Sequence, residues 1–585
     1  MSAVLTAADS SSGEPPEPHR PIGLQAARDG GSTRDGEAKL SRMSIDAETD
    51  RTPVRVVPPA ALRRRPRLFS ALERAFPVRF LEGADDASAF SPSFSLFAPD
   101  GPKARAHGRS CRIHFATARR PGRPATITFS ATVSLPPALR NTTLSEERGV
   151  EGLDALDPAG EVLASSGGLA VWISDGSEDW SALAPDELDA GTTLRDRLRD
   201  GAFFGLLPLV HWLRGVAPPG WDPPPFRATF VFDDPNLHWR SYGFIRYREL
   251  VEHAREYGYA ATMATVPRDL WTAHLGTVRL FLESSGLLSL AVHGNDHLKR
   301  ELQRDLPVEA RRALLAEALQ RVERFERRWR LPIARVMVPP HGATSRAMAL
   351  EMPRLGIEAM TDSHPYPWLQ APPPNEVLAG WRYVDVVDGG LPVIPRYHLS
   401  QPRADLALRA FLAQPIVLYG HHEDVSSGLE VLAEAAAQVN ALGAARWLSL
   451  GGIARTNFET RREGSELHVK LANSVIDLDV PHGVATLTVH AHLLGRVNAI
   501  VASTSSGETR VSVADAISEN LPVSAGPIRL RAVRTDALDH RAVGAERVRV
   551  WPLMRRTATE TRDRALPALT RLRRPSSDGV SQRGR

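Results

Sequence analysis

Between Arg227 and about Arg455 the chain repeats one pattern: a short apolar run, a turn, then an amphipathic stretch of helical length. The run "ATFVF" (Ala228 to Phe232) leads to "GFIRYRELVEHAREYG", and "YAATMATV" leads to "LGTVRLFLESSG". "LLSLAV" runs into His293, and an arginine-rich segment, about Val308 to Arg330, then precedes "ARVMV". "IEAMT" ends at Asp362, "PIVLYG" ends at His421 and His422, and "RWLSL" closes the series. Apolar runs without polar alternation read as strands covered on both faces, and the intervening helices return the chain to begin a parallel neighbour. This many consecutive βα units predict an α/β fold whose parallel sheet closes into a barrel.

The remainder of the 585 residues needs further units, because one core does not organise so long a chain. Residues 1–55 are rich in Ser, Gly, Pro, Asp and Glu without hydrophobic periodicity, and disorder is expected. A mixed α/β domain without a catalytic constellation is expected over 56–220, with strands at "CRIHFA", "ATITFSATVSL" and "GLAVWISDG" and an apolar helix within Gly201 to Gly215. "APPGWDPPP" marks a linker before the βα section, 226–456. Short alternating segments over 465–553 ("ELHVKLA", "SVIDLDV", "VATLTVHAH") predict a small accessory β-sandwich, with His468, His482, His490 and His492 on strand faces as structural residues. Residues 556–585 read as a disordered basic tail, solvated like "RRRPR" at Arg63 to Arg67.

Composition narrows the function classes. The net charge of +4 gives no polyanion-binding surface, so no nucleic-acid partner is expected. A single cysteine, Cys111, excludes an intramolecular disulfide and a Cys-based zinc site. The N-terminus lacks a basic region followed by an apolar run, and no stretch approaches the ~20 apolar residues of a membrane span. A soluble, cytoplasmic protein is the expectation.

In a parallel βα barrel, functional residues lie where strands end, since the loops there share one face. The polar residues at these ends are Asp233 and Asp234, His293 with His297, His341, Asp362, and His421 with His422. Two adjacent carboxylates repel, and desolvating either one is costly without a compensating cation. In "HGNDH" the i, i+4 spacing puts His293 and His297 on one face if the loop begins a helical turn. A lone His-x-x-x-His occurs often by chance. Combined with "FDD" at another strand end, it forms a two-imidazole, one-carboxylate set for a divalent transition metal.

The series resembles the polysaccharide deacetylase (NodB-homology) family of metal-dependent carbohydrate esterases, over roughly Arg227 to Arg455. The resemblance implies a distorted (β/α) barrel, with Asp233 as general base and Asp234, His293 and His297 as ligands of a metal, zinc above all. "VPPHG" (Val338 to Gly342) matches in part the family's Arg-Pro-Pro-aromatic-Gly turn, and "LYGHHED" offers His421 or His422 as the acid. Val338 stands where the family carries the arginine that orients the base; Arg335 and Arg396 are candidate substitutes. "DDPN" replaces Asp-Asp-Gly, which marks a divergent member with its own substrate.

The implied reaction is hydrolysis of an N-acetyl or O-acetyl group on a carbohydrate. His421, preferred to His422 because it follows the strand directly, would protonate the leaving group, with Asp362 orienting it or serving as a loop cap. The backbone N–H of His341 would help hold the oxyanion, and Asn236, His238 and Trp239 would line a sugar subsite. The rivals are a hydrolase of a non-sugar C–N bond or of a glycosidic bond on the same barrel, and a degenerate barrel that binds carbohydrate without turning it over.

Overall fold

The computed structural model describes residues 51–83, 93–97, 112–116, 123–153, 160–176, 178–217, 220–373, 375–400, 403–544 and 550–573. The disorder expected at 1–50 and 574–585, and Cys111, lie outside these residues.

The segment Thr52–Val57 is already a strand, within the stretch expected to be disordered. It joins a nine-stranded sheet that is parallel from Val78–Glu82 through Glu178–Ser181 and antiparallel from there to Thr143–Glu146. The helices Pro66–Ala75 and Leu207–Val216 pack apolar residues against it, among them Leu68, Phe69, Leu209 and Val210.

The α/β section is one ten-stranded sheet whose main strands are β1 (Arg227–Asp233), β2 (Ala261–Thr265), β3 (Leu288–His293), β4 (Ile333–Val338), β5 (Ala359–Asp362), β6 (Leu391–Pro395) and β7 (Ile416–Gly420). These strands pair in parallel in the order β6-β5-β4-β3-β2-β1-β7. Tyr397–His398, one residue beyond β6, pairs in parallel with β7, so the chain around Arg396 touches both ends of the series. All seven residues of β1 are buried, since β2 and β7 flank it and side chains cover both faces. That is why it reads as an unbroken apolar run.

Helices return the chain between strands. After β1 comes α1 (Tyr247–Tyr257), and after β3 comes α2 (Val308–Trp329). In α2, Leu315, Leu319, Val322 and Phe325 recur at helical spacing and are buried, while Glu309 at the first turn and Arg327 and Arg328 at the last suit the helix dipole. Because the strands are parallel, Asp233, His293, Val338, Asp362 and Gly420 all end at the same edge.

Two four-stranded sheets follow. Phe458–Glu463, Glu466–Leu471, Thr486–His490 and Ile517–Pro522 make one; Val475–Val480, Gly526–Arg534, Val497–Thr504 and Gly507–Ser512 make the other. Their inward residues, such as Val469, Ile476, Leu487, Ile500 and Leu530, share a separate core. The C-terminal segment departs from expectation. Instead of a disordered tail from residue 556, the chain forms the helix α3 (Val550–Arg573), with Arg556 and Asp563 buried. Among the described residues no helix is long and apolar enough to cross a membrane.

Candidate active site

Asp233 and Asp234 occupy the end of β1, and the backbone separates them. Asp234 has φ +80°, in the left-handed region that Asp tolerates better than most residues, and its N–H donates to the Ala264 carbonyl at 3.1 Å. The reversal sends the two carboxylates in different directions. Asp233, 4% exposed, meets Arg396, whose Nη1 lies 3.0 Å from Oδ2. Arg396 is itself buried, its guanidinium 4.2 Å from the centre of the Tyr419 ring. Of the two candidate substitutes for the missing arginine, Arg396 therefore faces Asp233. Arg335 pairs with Glu326 at 2.7 Å instead.

Asp234 turns toward the histidines. Its Oδ1 lies 3.3 Å from His297 Nε2 and 4.0 Å from His293 Nε2, and one ligand atom from each of the three residues falls within 4.8 Å of the others. His293 Nδ1 is 2.9 Å from the Val338 carbonyl oxygen. A carbonyl only accepts, so Nδ1 carries the proton and the Nε2 lone pair faces Asp234. Burial lowers the pKa of His293 despite the nearby Asp233 and Asp234. Burial also pushes His297 down to about 3, against the pull of Asp234. Burial alone would raise Asp234, but Arg556, His297 and His293 hold it well below the usual carboxylate range. Two neutral imidazoles and an ionised carboxylate are the protonation states a divalent metal requires. The donor set fits such an ion.

The histidine pair is not brought together by a helical turn. Residues 294–298 form a loop wrapped around Glu301, whose carboxylate accepts the backbone N–H groups of Asn295 (2.6 Å), Asp296 (3.0 Å), His297 (3.2 Å) and Leu298 (3.2 Å). His297 has φ +54°. Gly294, at φ +62°, has no room for a Cβ, which would collide with the Glu301 carboxylate and Pro340. Arg321 on α2 fastens the outer side of the loop through Asp296 at 2.7 Å. Glu301 went unnoticed in the sequence. An acid four residues beyond the second histidine, in a segment with several exposed charges, carries no periodic signal.

The other expected residues divide. His421 is exposed and lines, with Asp234, His398 and Glu423, a cleft of about 350 Å³. His422 is 2% exposed, lies beside Tyr242 and Phe244, and has Nε2 3.9 Å from Asp563 Oδ1. A Cβ on Gly243 would collide with its ring. His422 is thus a packed residue as well as a neighbour of the cleft. Of the two roles expected for Asp362, the contacts are those of the loop cap. Asp362 is 3% exposed, accepts the His364 N–H at 3.2 Å, and feels Arg396 and Asp233 rather than His421. His341, in the turn Pro340–Gly342, is exposed with φ +61°, and its ring centre is 5.1 Å from that of His297.

Asn236 does not line an open subsite. It is fully buried, with Nδ2 3.4 Å from Asp269 Oδ2 and Oδ1 accepting from the His238 N–H and from Arg564, both at 3.2 Å. His238 bridges the Asp269 carbonyl (2.7 Å) and Glu560 (3.1 Å). Trp239 is 60% exposed, with Arg564 5.6 Å above its ring. Arg564 and Glu560 belong to α3, which also brings Arg556 to the site. Arg556 Nη1 is 3.0 Å from Asp234 Oδ1, Nη2 is 2.9 Å from the Asp234 carbonyl, and Nε is 2.8 Å from Asp269 Oδ2.

No protein-family model matches this chain, and no curated protein matches it. Solved structures do. The T48 deacetylase solved with substrate is 14% identical, over 39% of this chain and 90% of that one, at a TM-score of 0.24. A Mycobacterium smegmatis protein described as a polysaccharide deacetylase is 16% identical, over 41% and 93%, at 0.30. A family 4 carbohydrate esterase pseudoenzyme from Bacillus anthracis is 12% identical, over 41% and 71%, at 0.26. At this distance the neighbours leave the chemistry to be read from the site's own residues.

Proposed function

We propose that this chain is a metal-dependent hydrolase on a deacetylase-type distorted barrel, removing N-acetyl or O-acetyl groups from a carbohydrate. The reading rests on one arrangement: Asp234 Oδ1 beside the Nε2 atoms of His293 and His297, with His293 fixed in the ligand tautomer, next to a separate carboxylate held by Arg396. Asp234, His293 and His297 would hold the ion. Once bound, it would polarise the acyl carbonyl and acidify a water. Asp233 takes the proton of the attacking water, and the Arg396 guanidinium fixes the direction of its carboxylate. His421, on the cleft wall near Asp234, gives a proton to the leaving amine or alcohol. The His341 backbone N–H is the proposed donor to the developing oxyanion.

One observation favours a second reading, a carbohydrate-binding protein without turnover. The cation beside Asp234 is Arg556, a residue of the chain itself. Zinc content and acetate release from N-acetylated chito-oligosaccharides, measured on the wild type and on Arg556→Ala, separate the two. For the hydrolase we expect one zinc per chain, lost in His293→Ala and retained in Asp233→Asn, with acetate release abolished in both of these variants. Absence of stoichiometric metal from the wild type and from Arg556→Ala would leave the binding protein as the reading.

A further inference from the structure

The helix α3 lies across the face where the strands end, and among the described residues it makes a series of polar contacts there. Arg555 Nη1 reaches the His297 carbonyl at 3.1 Å, Glu560 meets His238 at 3.1 Å, and Asp563 accepts from the Tyr242 hydroxyl at 2.8 Å. Arg564 Nη2 meets Asn236 Oδ1 at 3.2 Å. The partners His238, Asn236, Tyr242 and His297 all lie in the loops after β1 and β3. At the centre, Arg556 is 4% exposed and spans Asp234 and Asp269. The Asp234 oxygen it holds is the one that faces His293 and His297.

A guanidinium and a divalent ion cannot both take that oxygen. Each would be a cation within bonding distance of one carboxylate, in a buried setting where like charges are poorly screened. Among the described residues, none of the helix's side chains joins the apolar clusters, and ion pairs and hydrogen bonds to the loops are suited to such an exchange.

We infer that α3 is a removable plug on the metal site: Arg556 and a divalent metal bind Asp234 in mutually exclusive fashion, so metal loading releases the helix and the docked helix holds metal off. This rests on the proposed reading of Asp234, His293 and His297 as ligands. Linkage makes the effect reciprocal: the docked helix lowers metal affinity by the same factor that metal lowers helix docking. Asp563, which accepts from the Tyr242 hydroxyl and lies 3.9 Å from His422, sets how firmly the plug is held.

The test is a zinc titration of the full chain with a competing chelator, together with amide hydrogen exchange over residues 550–573. Zinc is expected to accelerate exchange in this helix of the wild type by roughly tenfold or more, and not in His293→Ala. Arg556→Gln and Asp563→Asn, checked for unchanged exchange in β1, are expected to bind zinc roughly tenfold tighter than the wild type. Equal zinc affinity in all three proteins with unchanged exchange in the helix overturns the plug and leaves the metal site standing. Failure of every variant to bind zinc overturns the metal site and the plug together.

Discussion

Asp233 and Asp362 sit on either side of Arg396, and the three together show what a single buried cation can and cannot hold. Arg396 is bonded to Asp233 directly, at 3.0 Å, while Asp362 Oδ2 is buried without a hydrogen-bond partner among the described residues. Burial raises Asp362 to about 6, and Arg396 and the N–H groups of His364 and Ser363 only partly offset it. A carboxyl raised in this way keeps its proton in the folded state over a range where the unfolded chain has lost it. Stability therefore falls as pH rises from about 4 to about 6, and the full penalty persists above that. Asp362→Asn removes the titration. We expect it to be more stable than the wild type at pH 7.5 by up to about 3 kcal/mol, the equivalent of moving a carboxyl from 3.8 to about 6, with the gap closing by pH 4. Urea denaturation at the two pH values measures this, and an equal gap at both would show that Asp362 is ionised throughout. Little of this residue-level detail was legible beforehand. That Asp233 needed a partner followed from the paired charges, but choosing Arg396 over Arg335 required the pairing of Asp362 with Pro395, which places Arg396 just beyond the strand end.

At the scale of elements, the strands of the α/β section were readable because burial on both faces leaves an unbroken apolar run, as in β1. The elements that shape the site were not, because polar contacts define them. In α3, Arg556, Glu560, Asp563 and Arg564 follow the i, i+4, i+7, i+8 spacing of one helical face. A search for apolar periodicity passes over such a face and returns a basic tail. The loop after β3 poses the same problem, since its organising residue is the Glu301 carboxylate beneath four backbone N–H groups. Burial raises the pKa of Glu301, and the N–H groups of Asn295, Asp296 and Leu298 work against it. Replacing it with an amide turns one of its two acceptor oxygens into a donor that faces other donors. Glu301→Gln is expected to cost about 1–3 kcal/mol of stability and to weaken zinc binding, because His297 loses the contact that fixes its backbone. Isothermal calorimetry with zinc and chemical denaturation check the two effects. Unchanged zinc affinity would mean that the loop holds His297 by other means.

For the whole molecule, the distribution of cores decides which parts stand or fall together. One apolar cluster runs from Val54 in the nine-stranded sheet to Leu442 beyond the α/β sheet, while the last two sheets keep a core of their own from Leu467 to Ala532. Polar contacts reinforce the first union: the Leu194 N–H donates to Val377 at 3.0 Å, and Arg214 donates to the Phe411 carbonyl at 2.8 Å while covering its ring. From sequence the N-terminal region read as a separate domain of unknown role, because contacts between distant segments leave no local pattern. In the structure its buried apolar residues share one cluster with those of the α/β section. Trp172, fully buried in that sheet, tests the point. Trp172→Ala opens a cavity costing about 3–5 kcal/mol and should speed amide exchange in β1, far away in sequence, as well as in its own strand. Leu530→Ala, equally buried in the second core, should speed exchange in Gly526–Arg534 and leave β1 protected. If Trp172→Ala leaves β1 unaffected, the continuous cluster does not transmit stability, and the nine-stranded sheet folds on its own account.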